Sequence, residues 1–431
     1  MAAGLRDGGE PRVSFVVIAY NVHDSIERCL NSVLSQTLTD FEVVVVDDAS
    51  DDGTSELIDK VVLSNPRCRV IHKEANAGPH LARRTGVALT SGEYVYFVDG
   101  DDEVSPHLIE ALSMPSITSD VDIVRLGIDV RTEGAANEGA RSMMSDMYNS
   151  AAGTVRGDDI LLRAYSDPTP GSRRETWSVT ACLYRGDFCR RAFEAMCDDP
   201  LRHMEDAYQF FVLASKARTL QNLTEFRAFT YHYGSGRSGR GSLPQELFRE
   251  NLLETRDLVD KIVAYAKRVD SPRVRECANW FEGECAHEGY VEWSFRLSPL
   301  DQRETLPLLA RCWGHERVFG LFSESLGEWV ERVLAEPELT DDETLRNWIP
   351  AYRDMKREMG FDLPALNVEE VDSLVVRYER ALGELRDGEE EALRLAAERE
   401  RRFSRRALNF LFPPQSKGRR ILSAVLRELR G

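Results

Sequence analysis

The chain predicts an α/β fold: one mostly parallel sheet with helices on both faces, followed by an all-helical C-terminal domain. Two patterns carry that prediction. Over the first hundred residues, apolar runs without polar alternation recur between segments of helical periodicity, which is the signature of βαβ units feeding a buried parallel sheet. From Pro244 onward the pattern is almost wholly helical, in stretches such as Glu246–Val269 and Val371–Arg386. A length of 431 residues allows two or three domains with a well-buried core.

In order, Val13–Ile18 reads as the first strand. Asp24-Ser25-Ile26-Glu27 then reads as a capping box, and Ile26, Leu30, Val33 and Leu34 follow at helical spacing. Phe41–Val46 is a second strand, and Leu57, Ile58, Val61 and Val62 mark the next helix. Arg69-Val70-Ile71 gives a short third strand, and Pro79 suits the first turn of the helix carrying Leu81, Val87 and Ala88. Tyr94–Val98, apolar on both faces, closes the series, and right-handed crossovers make these strands parallel. Val121–Ile128 reads as a further strand. Arg131 to Gly157, rich in Gly, Ala, Ser and Asn, reads as a mobile loop, and a second structured region runs from Trp177 to about Tyr233. The glycine-dense stretch 234–241 is the expected domain boundary. The resulting division is a flexible N-terminus (1–12), an α/β domain (13–238), a helical domain (239–398) and a basic amphipathic tail (399–431).

Composition narrows the function. Charged residues make up 30% and hydrophobic ones 42%, with no apolar run long enough to span a bilayer and no apolar core of a secretory signal at the N-terminus. The expected location is the cytoplasm. Eight cysteines without a C-x-x-C pair argue against a zinc site. A net charge of −18 argues against nucleic acid as main partner. The charge is uneven: 399–431 carries ten Lys/Arg and two Asp/Glu, a net of +8, which leaves −26 for the rest.

The chemistry-bearing residues gather at strand ends, where open α/β sheets bind ligands. Asp99-Gly100-Asp101-Asp102 delivers three carboxylates just past Tyr94–Val98, hard oxygen donors of the kind that hold Mg²⁺ or Mn²⁺ together with substrate phosphates. Gly100 is expected to let the backbone turn sharply between the first two acids. The alternative is a β-turn whose acids face water. Tyr20, just past the first strand, suits stacking on a nucleobase or a place in the core. His203-Met204-Glu205-Asp206 opens a packed apolar helix, where the pair acts either in catalysis or on the helix dipole.

Four ordered motifs carry a family resemblance. They are Val-Val-Ile-Ala-Tyr-Asn (16–21), Val-Asp-Asp-Ala-Ser-Asp-Asp-Gly-Thr (46–54), Asn-Ala-Gly-Pro-His-Leu-Ala-Arg-Arg-Thr-Gly (76–86) and Gly-Glu-Tyr-Val-Tyr-Phe-Val-Asp-Gly-Asp-Asp (92–102). Together they resemble the inverting family-two glycosyltransferases of GT-A fold, of the bacterial cell-surface polysaccharide type, over roughly Val13 to Ser238. The resemblance implies that Ala19, Tyr20 and Asn21 line the donor site, with Tyr20 stacking on the base. Asp48 would accept from a uracil-type N–H. Asp47, Asp51 and Asp52 serve instead the turn and the next helix. Arg83 would face the diphosphate or an acid of the pocket, its alternative being a solvated helix charge. Asp99 is implied at the ribose and metal region and Asp101 on the metal, a Mg²⁺ or Mn²⁺ ion. Asp206, with Glu205 close behind, is implied as the base that deprotonates the acceptor hydroxyl. A helix N-terminus depresses a carboxylate's pKa, whereas a base works best near neutrality, a tension that desolvation can relieve.

Trp177 with Leu183-Tyr184-Arg185 matches a stretch implied in acceptor binding, although the Lys common inside it is missing. His232, with Arg237 and Ser238, matches a closing segment over the diphosphate; a satisfied structural histidine fits equally. Ala19 stands where Pro is usual, and Arg84 where Asn is usual. The implied reaction is metal-dependent transfer of a hexosyl or N-acetylhexosaminyl group, with inversion, from a UDP-linked donor to a hydroxyl of a glycan or lipid-linked acceptor. Rival readings are a nucleotidyltransferase, for which Ala19-Tyr20-Asn21 offers no glycine-rich phosphate loop, and a catalytically silent sugar-nucleotide-binding scaffold. The tail, alternating Arg pairs with Phe403, Leu408, Phe410, Leu411 and Phe412, suits peripheral contact with an anionic membrane or packing on protein. The stripe Val371, Leu374, Val375, Tyr378, Leu382 and Leu385 suits core or a homo-oligomer seam in the helical domain.

Overall fold

The computed structural model describes residues 11–62, 65–132, 138–167, 175–233, 242–336, 342–359 and 368–411, with side chains in the last helix to residue 398. They form two compact units, dividing between Leu297 and Ser298.

The first unit begins with the expected alternation. β1 (Val13–Ala19), α1 (His23–Leu34), β2 (Phe41–Asp47), α2 (Thr54–Val62), β3 (Cys68–His72), α3 (Gly78–Ala88) and β4 (Tyr94–Asp99) follow in order. β1, β2 and β4 are buried on both faces, which is why they read as unbroken apolar runs. β5 (Glu103–Val104), a 3₁₀ turn (Leu108–Ser113) and β6 (Ile123–Thr132) come next. α4 (Glu138–Asn149), β7 (Ala152–Arg156), α5 (Asp159–Ala164), β8 (Cys182–Arg185), α6 (Gly186–Glu194), α7 (Glu205–Lys216) and β9 (Thr219–Tyr233) complete the sheet region. The strand order is β3-β2-β1-β4-β8-β6-β9-β5, with β7 beside β9. β1 pairs in parallel with β2 and β4, β2 with β3, and β6 with β9; β8 runs antiparallel between β4 and β6.

The order turns back at β1 and β4, so the ends of β1, β2 and β4 open on one crevice, as doubly wound sheets require. Toward the other end of the strands the core is aromatic: Phe15 meets Phe41 and Tyr96 edge-on at centroid distances of 5.7 and 6.0 Å.

Three sequence readings change. The stretch from Arg131 to Gly157 is not all loop: 138–149 is helical and 152–156 is a strand. Met144 and Tyr148 pack on the core, and Asn149 clamps the β6 backbone by accepting from the Ile128 amide (2.9 Å) and donating to its carbonyl (3.0 Å). α1 begins at His23, two residues earlier than the capping box supposes, so Asp24 falls in the first turn and makes no side-chain cap. Asp52 caps the helix from across the crevice by accepting from the His23 amide at 3.1 Å. Gly100 is needed for closeness rather than for an unusual turn, since a Cβ there would lie 3.0 Å from the Ile18 carbonyl oxygen and 3.0 Å from Val22.

α8 (Gln245–Arg268) and α9 (Pro272–Arg296) belong to the first unit, so the units divide two helices beyond the glycine-dense stretch 234–241. The reason is apolar: Tyr265 meets Phe211, and Phe281 meets Tyr165 and Trp177, burying both helices against the α/β body. The second unit holds α10 (Pro299–Trp313), α11 (His315–Ala335), α12 (Glu343–Met359) and α13 (Val368–Leu411). Phe319 stacks on Tyr352 at 5.4 Å, and Trp348 donates to the Gln302 amide oxygen at 2.6 Å. Val371, Leu374, Val375, Tyr378 and Leu382 are core, while Leu385 is half-buried. All eight cysteines are free thiols. Among the described residues no helix is long and apolar enough to cross a membrane.

α3 lies so close on β1 that a Cβ on Gly86 would stand 2.3 Å from Val16 Cγ1. Gly86→Ala should therefore cost about 1–3 kcal/mol through overpacking. Thermal denaturation checks this, and an unchanged melting temperature would contradict the contact.

Candidate active site

The crevice at the ends of β1, β2 and β4 holds a cavity of about 420 Å³ lined by Tyr20, Asp48, Arg83, Asp99, Asp101 and Glu205 among others. A second cavity beside it is lined by Asn21, Arg28, Asp101 and His232, so Asp101 borders both. Among the described residues three non-glycine positions take left-handed backbone, Asn21 (φ 52°), Ala49 (φ 66°) and Met204 (φ 56°). They sit after β1, after β2 and directly before α7, where the chain must bend sharply to aim side chains; such strain gathers at functional sites.

Arg83 joins the parts. Its side chain is 2% exposed, and it donates to Asp99 Oδ1 at 2.7 Å, to Glu205 Oε1 at 2.8 Å and to the Gln209 amide oxygen at 3.2 Å. Burial works against its charge, yet Asp99 and Glu205 together hold its pKa above the ordinary value. Gln209 is held in turn by His80, its Nε2 lying 3.0 Å from His80 Nδ1. The other His80 nitrogen faces the Cys197 carbonyl at 3.0 Å, and burial drops the imidazole pKa to about 4, so the ring is neutral.

Glu205 and Asp206 open α7. Burial raises both carboxyls: Glu205 is opposed by Arg83, while Asp206, with Glu205 beside it, is pushed up to about 7. Desolvation thus outweighs the helix terminus at Asp206, whose Oδ1 accepts from the Ala207 amide at 2.8 Å. Burial, and after it the charge of Asp206, raises the hydroxyl pKa of Tyr148 and Tyr165.

The remaining candidates divide. Tyr20, 48% exposed, presents its ring at the cavity. Ala19 and Gly100 line the same wall. Asn21 clamps two loops, donating from Nδ2 to Asp51 (2.9 Å) and accepting from the Asp51 amide (3.0 Å). Asp48 is buried at the cavity wall, with Lys73 Nζ at 2.5 Å, the Gly78 amide at 2.7 Å and the Ala77 amide donating to its carboxylate. A nucleobase N–H would be a further donor on a group with about four lone-pair positions. Asp47 serves its turn, accepting from the Ser50 amide and the Ser55 hydroxyl. His232 is buried with Nε2 3.0 Å from Glu103. Trp177 stacks on Tyr165 at 5.9 Å and is not among the lining residues of either cavity. Arg237 and Ser238 lie outside the described residues. Sequence reasoning missed His80, which sits in the third motif but was given no role there, Gln209, which carries no motif, and Arg202 and Arg28, two cations on the cavity walls.

Asp101 and Asp102 are raised by burial and by neighbouring acids, Asp102 the more strongly. Among the described residues no three His, Cys, Asp or Glu side chains enclose a metal position. Asp99 and Asp101 fit a half-shell, the arrangement for an ion that shares its sphere with phosphate oxygens. The uncompensated acids around Asp101 fit the addition of positive charge there.

Removing Arg83 leaves two partly buried carboxylates, Asp99 and Glu205, without their cation. Arg83→Met should cost about 3–5 kcal/mol, and Arg83→Lys should rescue little, because one ammonium cannot fork to Asp99, Glu205 and Gln209 together. Denaturant unfolding of the two variants measures this; equal stability of wild type and Arg83→Met would contradict the bridge.

Comparison with known proteins agrees with this arrangement. Residues 14–173 match the model of glycosyl transferase family 2. The chain is 32% identical over 200 residues to the uncharacterized glycosyltransferase EpsJ of Bacillus subtilis, covering 46% of this chain and 54% of that one. It is 43% identical over 96 residues to the succinoglycan biosynthesis protein ExoO of Rhizobium meliloti, covering 22% of this chain and 27% of that one. The match thus spans about half of EpsJ and about a quarter of ExoO. Among solved structures, TarS 1-349 of S. aureus in complex with UDP superposes with a TM-score of 0.51 at 20% identity, covering 81% of this chain and 93% of that one, and shares the fold. The sheet order, the acid-ended fourth strand and this match agree, and residues 14–173 of the chain are similar to glycosyl transferase family 2.

Proposed function

We propose that the protein transfers a sugar, hexosyl or N-acetylhexosaminyl, from a nucleotide-sugar donor to a hydroxyl of a glycan or lipid-linked acceptor, with inversion, in cell-surface polysaccharide synthesis. One observation carries the reading most: Arg83 ties Asp99, at the end of β4, to Glu205, at the start of α7, so that donor-side and acceptor-side acids share one crevice. The likeness to a succinoglycan biosynthesis protein supports the polysaccharide setting. UDP as carrier follows from the family resemblance.

Tyr20 offers its exposed ring to the base, and Asp48 stands at the wall behind it. Asp99 and Asp101 would hold a Mg²⁺ or Mn²⁺ ion, which when bound supplies positive charge against the departing diphosphate. Arg202 lines the same cavity and adds a cation of the protein's own. Asp206 is the proposed base: a carboxyl near 7 takes the acceptor's proton as its oxygen attacks the anomeric carbon, while the bond to the diphosphate breaks on the opposite face. Glu205, paired to Arg83, keeps Asp206 raised and in place.

Screening nucleotide sugars for turnover with and without Mn²⁺ tests the reading directly; binding without turnover of any donor would favour the silent scaffold. Asp206→Asn should lower kcat by about 10²–10⁴ while leaving nucleotide binding intact. Wild-type log kcat should rise with pH and level off above about 7. Stability runs the other way. The folded-state pKa lies above the unfolded value, so this group's contribution is largest at low pH and is lost as pH rises through about 7. Asp206→Asn should therefore melt higher than wild type at alkaline pH. A variant that melts lower there, or keeps full activity, removes Asp206 from the role.

A further inference from the structure

Arg83 reaches Asp99 and Glu205 together only while its guanidinium is turned one way. Its Nε makes no hydrogen bond among the described residues, so the two terminal nitrogens set that turn. Nη2 donates to Asp99, and Nη1 divides its hydrogens between Glu205 and Gln209. Gln209 lies one helical turn beyond Glu205 on α7, and His80 one turn before Arg83 on α3. Both are fully buried. A guanidinium has only donors, so the Gln209 amide serves it in one orientation, oxygen foremost.

A chain of hydrogen bonds running back to the backbone selects that orientation. The Cys197 carbonyl only accepts, so the neutral His80 ring carries its proton on Nε2 and leaves Nδ1 bare. A bare Nδ1 requires a donor, and the Gln209 Nε2 supplies it at 3.0 Å. The amide oxygen is thereby left facing Arg83. The anchor is itself pinned on several sides. Arg84 donates from Nη1 to the Cys197 carbonyl at 3.0 Å and to the Met196 carbonyl at 2.9 Å, and its Nη2 meets Asp198 at 2.7 Å. The Cys197 amide donates to the Tyr208 hydroxyl at 2.8 Å, and the Tyr208 ring stands edge-on to His80 at 5.5 Å. Arg84, found where Asn is usual, thus holds the start of the chain.

We propose that His80 and Gln209 are positioning residues for sugar transfer, a one-way hydrogen-bond relay from the Cys197 carbonyl that turns Arg83 toward Asp99 and Glu205 at once. Neither lines the donor cavity, so both act through Arg83. The effect on rate rests on the sugar-transfer reading; the relay itself does not.

Two measurements need no substrate. Imidazole ¹⁵N NMR of the wild type at pH 7 should show His80 neutral, with its proton on Nε2. The terminal N–H groups of Arg83 should rotate slowly in the wild type and faster in Gln209→Leu. A proton on Nδ1, a charged ring, or Arg83 rotation indifferent to Gln209→Leu overturns the relay. Kinetics then test its use. His80→Leu and Gln209→Leu should each lower kcat about 10-fold, whereas His80→Asn, whose amide oxygen replaces Nδ1 as acceptor, should stay within about 3-fold of wild type. Combining the two Leu changes should be no worse than the slower single variant, because they break one unit. Circular dichroism guards against misfolding. A packing role ranks the apolar Leu at least equal to Asn, so His80→Leu as fast as His80→Asn overturns the proposal. A wild type that transfers no sugar sinks the functional reading and with it the effect on rate, while the NMR results still decide the relay.

Discussion

The site depends on one buried cation. Arg83 is nearly inaccessible to water and forks to Asp99, Glu205 and Gln209 within 3.2 Å. A lone charge at Arg83 would be costly, and the half-buried Glu205 without it would be costly too. Together they lock helix α3, the end of β4 and the start of α7 into one geometry. Residues 83, 99 and 205 are far apart in sequence and meet only because β1 and β4 are neighbours and α3 packs on β1. The closeness of Gly86 to Val16 is part of the same constraint.

Around this bridge the carboxylates are sorted by environment. Asp99 and Glu205 are ion-paired to Arg83, whereas Asp101, Asp102 and Asp206 have no such partner; burial raises the pKa of Glu205 as well as of those three. Titratable groups driven apart in this way mark functional sites. On the proposed reading the two raised sets face different partners: Asp101 the diphosphate of a donor, and Asp206 an acceptor. His80, neutral and buried, supports Gln209 and thus the bridge without carrying charge itself.

Much of this was legible in the sequence. The doubly buried strands and their succession along the chain followed from apolar runs, and the acids just past Tyr94–Val98 do fall at the end of β4, beside a cavity. The notion that Arg83 faces an acid of the pocket matches the structure, yet its partner Gln209 was invisible, because an uncharged residue inside an apolar helix carries no local signal. The stretch 131–157 misled because its composition is that of a loop; Tyr148 and Asn149 make it structured through contacts with β6 that periodicity does not reveal. The cap of α1 was misassigned for a similar reason, since its acceptor, Asp52, comes from another loop. The domain division failed to anticipate that α8 and α9 join the sheet-bearing unit through Tyr265 and Phe281.

The account turns on Asp101 standing ready to share a divalent ion with the phosphates of a nucleotide. Electron paramagnetic resonance of Mn²⁺ with the wild type and with Asp101→Asn, each with and without UDP, tests this most directly. The account predicts protein-bound Mn²⁺ that tightens when UDP is added to the wild type and is lost in Asp101→Asn. Mn²⁺ that stays free with the wild type and UDP together, or binds Asp101→Asn equally well, would contradict it.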